Sequence, residues 1–342
     1  MNKQKVLHIS TVHKATDNRI LFRECMSISE YGFDTYLLAN NITGFQCSSV
    51  KIIHLDKLNL QKRLRTNKKR ILPHVEAIKP DIIHIHDPEL MLLIPTLKKH
   101  ARVVVYDMHE WLAQQVYVKP WIPKPLKMLA SSFLSLLQPY LLKDTPVIYA
   151  ESSYIKEFPK IVDYQTILNL PRTEKIVKYQ STPKLPIFTV AYMGQITLER
   201  GCLKVAEILL EIKQKLGAEI GFICVGECLS NEFKRELDRV GEQLDFYEAP
   251  GFLPFFDGIE VISKAHVGVS ILDRTPNYTH SFSTKIFEYI ALGMPFIASD
   301  FPINRKVKDD FECGILVNPN DKQAIINALL FYQENNDNYK EH

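Results

Sequence analysis

The chain has 342 residues, a length that favours two domains. Hydrophobic residues make up 46% of it and charged residues 24%, which excludes disordered and collagen-like proteins and predicts a folded core. The net charge is +3, but residues 1–180 carry 26 Lys and Arg against 16 Asp and Glu, whereas residues 181–342 carry 16 against 23. The basic first half predicts an anionic partner, such as a phospholipid surface, a phosphorylated acceptor or a nucleic acid.

Cysteine use and hydropathy bear on the compartment. The six cysteines are scattered without a C-x-x-C pair, and no charged and then apolar leader precedes them, so we expect the reducing cytoplasm. The longest apolar run, 128–142, has 15 residues and contains Pro139. A membrane-spanning helix needs about 20 residues, so no transmembrane helix is predicted.

Strands and helices alternate along the first half of the chain. Short apolar runs predict strands over 5–10, 33–39, 51–55, 81–86, 102–107, 147–150 and 166–169. Helical periodicity lies between them, through Ser29 and over 60–78 and 89–100. Continuous apolar strands separated by helices predict a parallel sheet covered on both faces.

The segment 171–186 interrupts this alternation with three prolines and four Lys or Arg, and we interpret it as an interdomain linker. The alternation then resumes, with strands predicted over 187–193, 220–225, 246–247, 267–272 and 295–299, and helices over 200–216, 231–240, 255–264, 284–292 and 321–333. We predict two tandem, doubly wound, Rossmann-like α/β domains, 1–170 and 187–342, that face each other across a cleft. Ligands of such sheets bind outside the carboxyl ends of the strands.

Several ligand motifs are missing from the sequence. Neither the dinucleotide fingerprint G-x-G-x-x-G nor a Walker A loop is present, which argues against common classes of oxidoreductase and NTPase. A D-x-D pair is also absent, and His, Cys and carboxylate residues show no regular metal-ligand spacing. We therefore expect no dedicated metal site.

The start of the second half suits a phosphate. A predicted strand is followed by Gly194, and Arg200 and Gly201 stand at the start of the next helix. A glycine at a strand end admits a ligand close to the backbone, and a helix N-terminus beside an arginine attracts an anion. The alternative is an ordinary strand, loop and helix junction.

The stretch 281–295 suits a nucleotide more specifically. Ser283 is a predicted N-cap, and Lys285 and Glu288, three residues apart, share a helix face. The functional interpretation places the lysine and the helix N-terminus on a diphosphate, and the carboxylate on the vicinal hydroxyls of a ribose. The alternative is a surface salt bridge.

Histidines gather at the predicted strand ends of the first half. His13 follows the first strand, His84 and His86 lie in the 81–86 strand, and His109 follows the next strand. Alternation places His84 and His86 on the same side of the sheet, where one of them can be a core residue. Because ligands bind at the carboxyl ends of parallel strands, several histidines there predict a functional site.

Together these motifs resemble the GT-B glycosyltransferases, and within them the retaining family 4 enzymes of bacterial capsule, lipopolysaccharide and exopolysaccharide assembly. The resemblance covers nearly the whole chain and depends on the order and spacing of its pieces. They are 81–90 (DIIHIHDPEL), 106–110 (YDMHE), 192–194 (YMG), 200–201 (RG), 225–226 (VG), 251–253 (GFL), 285–289 (KIFEY) and 293–295 (GMP).

The resemblance implies transfer of a sugar from a nucleotide-sugar, with retention of configuration and without a metal or cofactor. The donor is expected on the second domain, with UDP as its nucleotide. The acceptor, a saccharide or an undecaprenyl-diphosphate-linked saccharide, is expected on the first domain. The leaving diphosphate develops negative charge and is thought to assist deprotonation of the acceptor, so fixed cations around it should aid catalysis.

The resemblance also assigns residues to these roles. The expected catalytic residues are His109, beside the donor sugar, and Glu288, on the ribose. The expected donor contacts are Gly194, Gln195, Arg200, Phe252, Leu253, His280, Lys285 and Glu288. The expected acceptor contacts are His13, Asp17, Arg19, His86 and Asp87.

Three features depart from the family pattern. The first glutamate of the family's E-x7-E motif is His280 here, Gln195 stands where an arginine commonly follows the strand glycine, and the chain ends soon after Gln333. They leave open a catalytically silent homologue that acts as the partner of an active transferase. A nucleotide-sugar 2-epimerase is another alternative, which the charge asymmetry disfavours. No nucleic-acid-binding motif accompanies the basic run.

A basic and aromatic surface is predicted on the first domain. Residues 57–70 contain seven Lys and Arg and no acidic residue, and basic and aromatic residues of 111–127 precede the apolar run 128–142. We expect this surface to hold a cytoplasmic protein on the anionic inner face of the plasma membrane. The alternative is a solvated helix face beside a core helix. The predicted contacts are Lys62, Arg63, Arg65, Lys68, Lys69, Arg70 and Trp121.

Overall fold

Two parallel β-sheets form the centres of the structure. The computed structural model describes residues 3–40, 45–109, 123–275, 278–279 and 281–335. The chain divides into two compact units, Met1–Asn169 and Leu170–His342, and each contains one sheet. Alternation of strands and helices runs through both units, so the predicted pair of doubly wound α/β domains is confirmed.

The first domain contains a seven-stranded sheet. Its strands are β1 (Lys5–Lys14), β2 (Asp34–Asn40), β3 (Lys51–His54), β4 (Ile82–Ile85), β5 (Val103–Met108), β6 (Val147–Tyr149) and β7 (Tyr164–Thr166). Its helices are a π-helical segment Asn18–Cys25 that continues into α1 (Met26–Glu30), α2 (Leu60–Ile78), a 3₁₀ segment Pro88–Leu93 followed by α3 (Ile94–Leu97), α4 (Lys124–Leu141) and α5 (Tyr154–Glu157).

The order of these strands places a switch point, where ligands can bind, at the carboxyl ends of the central strands. All neighbours pair in parallel in the order β3-β2-β1-β4-β5-β6-β7. The chain moves outward from β1 to β3 and then returns to β4 on the other side of β1, so the order reverses between β1 and β4. Ile9 of β1 pairs with both Leu38 of β2 and Ile85 of β4. The segments after β1 and β4 thus diverge at the switch point, where open α/β sheets bind ligands.

The second domain contains a six-stranded sheet. Its strands are β8 (Phe188–Met193), β9 (Ile220–Val225), β10 (Phe246–Gly251), β11 (Val267–Ser270), β12 (Phe296–Ser299) and β13 (Ile315–Val317). Its helices are α6 (Thr173–Ile176), 3₁₀ segments Val177–Tyr179 and Leu198–Arg200, α7 (Cys202–Leu216), α8 (Asn231–Gly241), α9 (Phe255–Ile262), α10 (Thr284–Ala291), α11 (Pro302–Phe311) and α12 (Lys322–Glu334). The order β10-β9-β8-β11-β12-β13 places the switch point between β8 and β11.

The apolar runs of the sequence became central strands because both of their faces are covered. All six residues of β8 and all six of β9 are buried. In the first domain, Leu7 and Ile9 of β1 and Ile83 and Ile85 of β4 are fully buried. A strand enclosed on both faces needs continuous rather than alternating hydrophobicity, which is the pattern that identified these strands in the sequence.

Some elements differ from the predictions. The predicted helix 89–100 is a 3₁₀ segment and one α-helical turn, because Pro95 has no N–H with which to continue the earlier turn. Two elements were not predicted from the sequence: α11, which is mostly polar, and β13, which has three residues. The segment 171–186 contains α6, where Ile176 is fully buried, and Gln180, which donates a hydrogen bond to Ala291 O at 3.0 Å. That segment therefore packs on the second domain.

Candidate functional site

The carboxyl ends of three strands in the second domain are tied together through glycines. Gly194, after β8, donates its N–H to Val225 O at 2.9 Å, and Gly226, after β9, donates to Gly251 O at 2.9 Å. Gly194 and Gly226 have φ angles of 142° and 153°, and a Cβ at position 226 would lie 1.7 Å from Gly194 O. Only glycine fits there, so backbone rather than side chains lines this part of the edge.

Lys285 lies against this backbone, at the switch point between β8 and β11. It is in the first turn of α10, after Ser283, whose hydroxyl lies 2.8 Å from Ser270 Oγ and does not cap the helix. The lysine side chain is 6% exposed, and its Cε would be 3.0 Å from a Cβ on Gly194. Its Nζ is 5.1 Å from the centroid of the Tyr192 ring. A buried ammonium group thus adjoins a helix N-terminus and the backbone at Gly194, an arrangement that suits an anion.

The charge of Lys285 is sensitive to its surroundings. Burial, assisted by the nearby Arg200 guanidinium and opposed by Glu288, lowers the pKa of Lys285 to about 8. Glu288 lies one turn along the same helix and is 2% exposed. Because both side chains are buried, the surface salt bridge considered above is excluded. The cost of placing two cations together would be repaid by an anionic ligand.

The other predicted donor contacts follow neighbouring strand ends. Arg200 precedes α7, and its guanidinium lies 5.6 Å from the centroid of the Tyr278 ring. Three residues after β8 and β10 are exposed or half-buried: Gln195, Phe252 and Leu253. His280 lies outside the described residues. The second-domain edge therefore combines a cationic part, around Lys285, with an apolar part, around Phe252.

A buried carboxylate, Asp107 of β5, organises the first-domain site. It accepts two hydrogen bonds from Arg19, Nε to Oδ2 at 2.9 Å and Nη2 to Oδ1 at 2.7 Å. His109 Nε2 also contacts Oδ2, and His86 Nδ1 lies 3.3 Å from the same oxygen. Burial would raise the pKa of Asp107, but His109, His86 and Arg19 hold it well below its usual range. Asp107 is therefore an anion that fixes one cation and two imidazole rings.

Arg19 is held on other sides as well. Its Nη1 donates to Ile167 O at 2.9 Å, and its Nε lies 3.0 Å from Glu24 Oε1. Asp17 caps the π-helical segment by accepting the N–H of Arg19 at 2.9 Å. Asp17 and Arg19 were both predicted as acceptor contacts, but Arg19 is 5% exposed and its described contacts point inward. Here they act on the position of Asp107.

Asp87 and His13 join the ends of β1 and β4. Asp87 is fully buried and accepts hydrogen bonds from Ser10 Oγ at 3.1 Å, Thr11 Oγ1 at 3.1 Å and Thr11 N. His13 Nδ1 lies 3.2 Å from Asp87 Oδ1. Burial would raise the pKa of Asp87, but His13 and the Thr11 N–H lower it. The His13 ring remains accessible, with its side chain 33% exposed. Asp87 is buried behind it, so it can influence a ligand through its contact with His13.

A further group of buried polar side chains adjoins Asp107. His8 of β1 pairs in register with His84 of β4, and ring nitrogens of His8 lie 3.3 Å from His84 and 3.0 Å from His86. Burial, with a smaller effect of His86, lowers the pKa of His84 to about 3. Glu24 Oε2 lies 3.5 Å from His84 Nδ1. His8 and Glu24 were not predicted as site residues, although His8 and His84 pair in register on two adjacent parallel strands.

The predicted membrane contacts are only partly on the surface. Four basic residues of α2 are exposed: Lys62, Arg65, Lys68 and Lys69. Arg63 instead turns inward, is 13% exposed, and pairs with Glu89, so its inclusion was wrong. Arg70 is half-buried and donates to Asp56 O. Trp121 lies outside the described residues.

Helix α4 presents an apolar face to solvent. Six large side chains on it are 55% to 75% exposed: Leu126, Met128, Leu129, Phe133, Leu136 and Tyr140. Its inward face instead buries the polar residues Ser131 and Gln138. The alternative of a core helix over 128–142 is therefore wrong. In the described ranges, no helix combines the length and the hydrophobicity that crossing a membrane requires.

One family model matches the second domain. Residues 187–335 match the family model described as "Glycosyl transferases group 1". No curated protein sequence matches the chain. Among solved structures, sucrose-phosphate synthase from Thermosynechococcus elongatus aligns with a TM-score of 0.70 and 15% identity, over 99% of this chain and 94% of that one.

Two further structures share the fold. Anabaena Alr3699/HepE, in complex with UDP and glucose, aligns with a TM-score of 0.62 and 14% identity, over 97% of this chain and 90% of that one. WaaG, a glycosyltransferase involved in lipopolysaccharide biosynthesis, aligns with a TM-score of 0.64 and 13% identity, over 98% and 95%. These likenesses show that the fold is GT-B. The family match covers residues 187–335 of the second domain, and the GT-B fold extends over nearly the whole chain.

The buried pair of Arg19 and Asp107 predicts a large effect on stability. Arg19→Ala would leave a buried carboxylate without its main partner, which costs about 3–5 kcal/mol. Lys51→Ala removes an exposed pair with Asp34 in the same domain and should cost about 0–1 kcal/mol. Urea unfolding of the two variants measures both values. Equal losses would show that Asp107 does not depend on Arg19.

Proposed function

We propose that the chain is a group 1 glycosyltransferase, which transfers a sugar from a UDP-sugar to a saccharide or lipid-linked saccharide with retention of configuration. The donor diphosphate binds at the second-domain switch point. The observation that carries the proposal is Lys285, a lysine that is 6% exposed, packed against Gly194, and accompanied by Arg200. A protein keeps two cations in such a place at a cost, which an anionic ligand offsets.

The second domain acts on the leaving group. As the bond between the sugar and the diphosphate breaks, negative charge develops on the diphosphate, and Lys285, Arg200 and the N-terminus of α10 stabilise that charge. Glu288, on the same buried helix face as Lys285, accepts hydrogen bonds from the ribose hydroxyls and so fixes the nucleotide. Phe252, exposed after β10, packs against the base.

The first domain supplies an oriented histidine. His109 Nε2 contacts Asp107, so its other ring nitrogen, Nδ1, is the atom that addresses the donor sugar. A buried carboxylate that holds one ring nitrogen fixes both the tautomer and the direction of the ring. His13, with its accessible ring, contacts the acceptor, and the departing diphosphate takes the proton of the acceptor hydroxyl.

Structures of the same fold support the choice of donor and process. HepE was solved with UDP and glucose, which supports UDP as the nucleotide here. WaaG is involved in lipopolysaccharide biosynthesis, which supports a role in assembling a cell-surface polysaccharide on a lipid-linked acceptor. At sequence identities of 14% and 13%, these likenesses support the fold alone, so the chemistry requires its own experiment.

Calorimetric titration with UDP, GDP and ADP tests the donor site. We expect UDP to bind the wild-type chain with micromolar affinity. Glu288→Ala should weaken that binding at least about tenfold, which corresponds to about 1.4 kcal/mol, through loss of the ribose contact. The matched control is Glu260→Ala, an exposed glutamate of α9, which should bind UDP like the wild type.

Release of UDP from a panel of UDP-sugars, followed by mass spectrometry, then tests for turnover. Transfer or hydrolysis would exclude a silent homologue, and interconversion of free UDP-sugars would indicate a 2-epimerase. If no nucleotide binds, the donor site proposed here is wrong and the silent partner is the better interpretation.

The ionisation of Lys285 predicts a pH dependence of donor binding. The pKa of Lys285 is lowered to about 8, so the ammonium form is present below that pH and is lost above it. UDP affinity should therefore fall as pH rises through 8, with a limiting slope of about tenfold per pH unit. The terminal phosphate of UDP does not contribute, because its last proton leaves near about pH 6.

Titrations between pH 7 and pH 10 measure this dependence. Lys285→Met should bind UDP weakly and without the fall, whereas Lys213→Met, at the far end of α7, should keep the wild-type slope. A wild-type affinity that stays constant over this range would remove Lys285 from the diphosphate site.

We further propose that the first domain binds the anionic inner face of the plasma membrane. Four exposed cations of α2 would attract phospholipid headgroups, and the apolar face of α4 would enter the interface. A contiguous exposed apolar helix face is typical of a surface that binds a protein or a membrane. A lipid surface would also bring the domain to a lipid-linked acceptor.

Sedimentation with phosphatidylglycerol vesicles measures this binding. Lys68→Glu with Lys69→Glu should lower the partition coefficient at least about tenfold, since each cation contributes about 1 kcal/mol near an anionic leaflet. Phe133→Ser with Leu136→Ser should also lower it, but with less dependence on salt. The control, Lys306→Glu with Lys308→Glu, makes the same charge change on α11. If the control loses as much vesicle binding, the effect depends on net charge alone and not on the surface formed by α2 and α4.

A further inference from the structure

Three imidazole rings and one carboxylate converge inside the first domain. They belong to His8 of β1, His84 of β4, His86 directly after β4, and Glu24 of the π-helical segment. The three histidines are at most 5% exposed, and the glutamate side chain is 10% exposed. One nitrogen or oxygen atom from each of the four lies within 4.8 Å of the other three.

Four of the six separations lie near the edge length of a tetrahedral coordination sphere. His8 Nδ1 lies 3.0 Å from His86 Nε2, 3.3 Å from His84 Nδ1 and 3.9 Å from Glu24 Oε2. His84 Nδ1 lies 3.5 Å from Glu24 Oε2. In a tetrahedral zinc site, bonds of about 2.0–2.1 Å place neighbouring ligand atoms about 3.3–3.4 Å apart.

Hydrogen bonds within the group do not account for these contacts. A neutral imidazole nitrogen carries either one hydrogen or one lone pair, so His8 Nδ1 cannot bond well to both His84 and His86. Arg19 Nε lies 3.0 Å from Glu24 Oε1, whereas Glu24 Oε2 accepts no hydrogen bond from the part of the chain that the structure describes. Glu24 Oε2 is thus a buried oxygen aimed at ring nitrogens, and a cation between them would satisfy all four atoms.

We propose that His8, Glu24, His84 and His86 bind one Zn²⁺ in a closed structural site. Imidazole nitrogens with one carboxylate are ligands that zinc favours, whereas Mg²⁺ and Ca²⁺ take six or more ligands, mostly oxygen. All four positions come from the protein, so the ion has no open position for water or substrate. Its role is to join β1, β4 and the π-helical segment, and sugar transfer needs no step on it. The proposal does not depend on the proposed donor or acceptor.

The second contact of His86 fits this assignment. When Nε2 binds the ion, Nδ1 carries the hydrogen and donates it to Asp107 Oδ2, 3.3 Å away. A metal-bound histidine usually donates its other N–H to a carboxylate or carbonyl in this way. Because the same oxygen contacts His109, the ion also fixes a neighbour of the histidine that we assign to the donor sugar.

A second group of four ligand atoms, from Glu24, His86, Asp107 and His109, is less suitable. Its members are close enough for a metal, but both oxygens of Asp107 already accept hydrogen bonds from Arg19. A cation there would compete with a guanidinium 2.7 Å away. In the site that contains His8 and His84, Arg19 contacts Glu24 Oε1 at 3.0 Å, and Glu24 Oε2 faces the ring nitrogens.

Metal content of the purified full chain, measured by plasma mass spectrometry after dialysis against metal-free buffer, tests the proposal. We expect about one zinc per chain, because burial of four ligands makes release slow. His84→Ala and Glu24→Gln should lose most of that zinc. Two controls on α2, His74→Ala and Glu76→Gln, should retain it. A wild-type chain that holds no zinc after incubation with the ion, or a His84→Ala variant that holds it fully, would overturn the site.

Cobalt substitution keeps the test valid if a variant fails to fold. Wild-type protein stripped with a chelator and loaded with Co²⁺ should show the intense visible bands of four-coordinate cobalt, whereas the weak bands of six-coordinate cobalt would contradict a closed site. Stripping should also lower the melting temperature. UDP titration of the stripped chain separates this proposal from that of the donor site. If the zinc site does not exist, UDP still binds. If the donor site does not exist, the chain still holds zinc.

Discussion

The buried carboxylate of Asp107 is the contact on which the first-domain site depends. An ionised carboxylate removed from water is costly unless its oxygens are paired, and Arg19 pairs both of them. Arg19 follows β1, His86 follows β4 and His109 follows β5, so one carboxylate joins three segments that leave the sheet at its carboxyl edge. The orientation of the His109 ring is consequently set by Asp107 and Arg19, and neither of these residues has to contact a sugar.

In the second domain, by contrast, a buried charge lies beside a charge of the same sign. Arg19 is neutralised within the fold, whereas Lys285 is buried beside another cation, Arg200, and its pKa falls to about 8 as a result. Backbone contact between Gly194 and Gly226 brings the strand ends together beside it and leaves no room for a side chain. The first arrangement favours rigidity and the second favours a ligand of opposite charge, which is the physical basis for assigning the donor diphosphate to the second domain.

The sequence was sufficient for the fold and for placing Lys285 and Glu288 together, and less so for the buried polar residues of the first domain. Continuous apolar runs identified the central strands, because enclosure on both faces leaves a signal in every residue. Lys285 and Glu288 were found because helical spacing places them on one face. Glu24 and His8 were missed because their neighbours come from segments about 60 to 80 residues away. Register and tertiary packing bring such groups together, and neither can be read from local periodicity.

The segment 84–87 shows why a family motif does not by itself list substrate contacts. His84 and His86 point to one side of the sheet by strand alternation, and both are buried among His8, Glu24 and Asp107. Asp87 binds the backbone and side chain of Thr11 and presents His13. Thus the polar residues that make this stretch recognisable mostly build the frame, and the accessible His13 ring belongs to another strand. In a parallel sheet the carboxyl edge collects such residues, and their exposure decides which of them can meet a ligand.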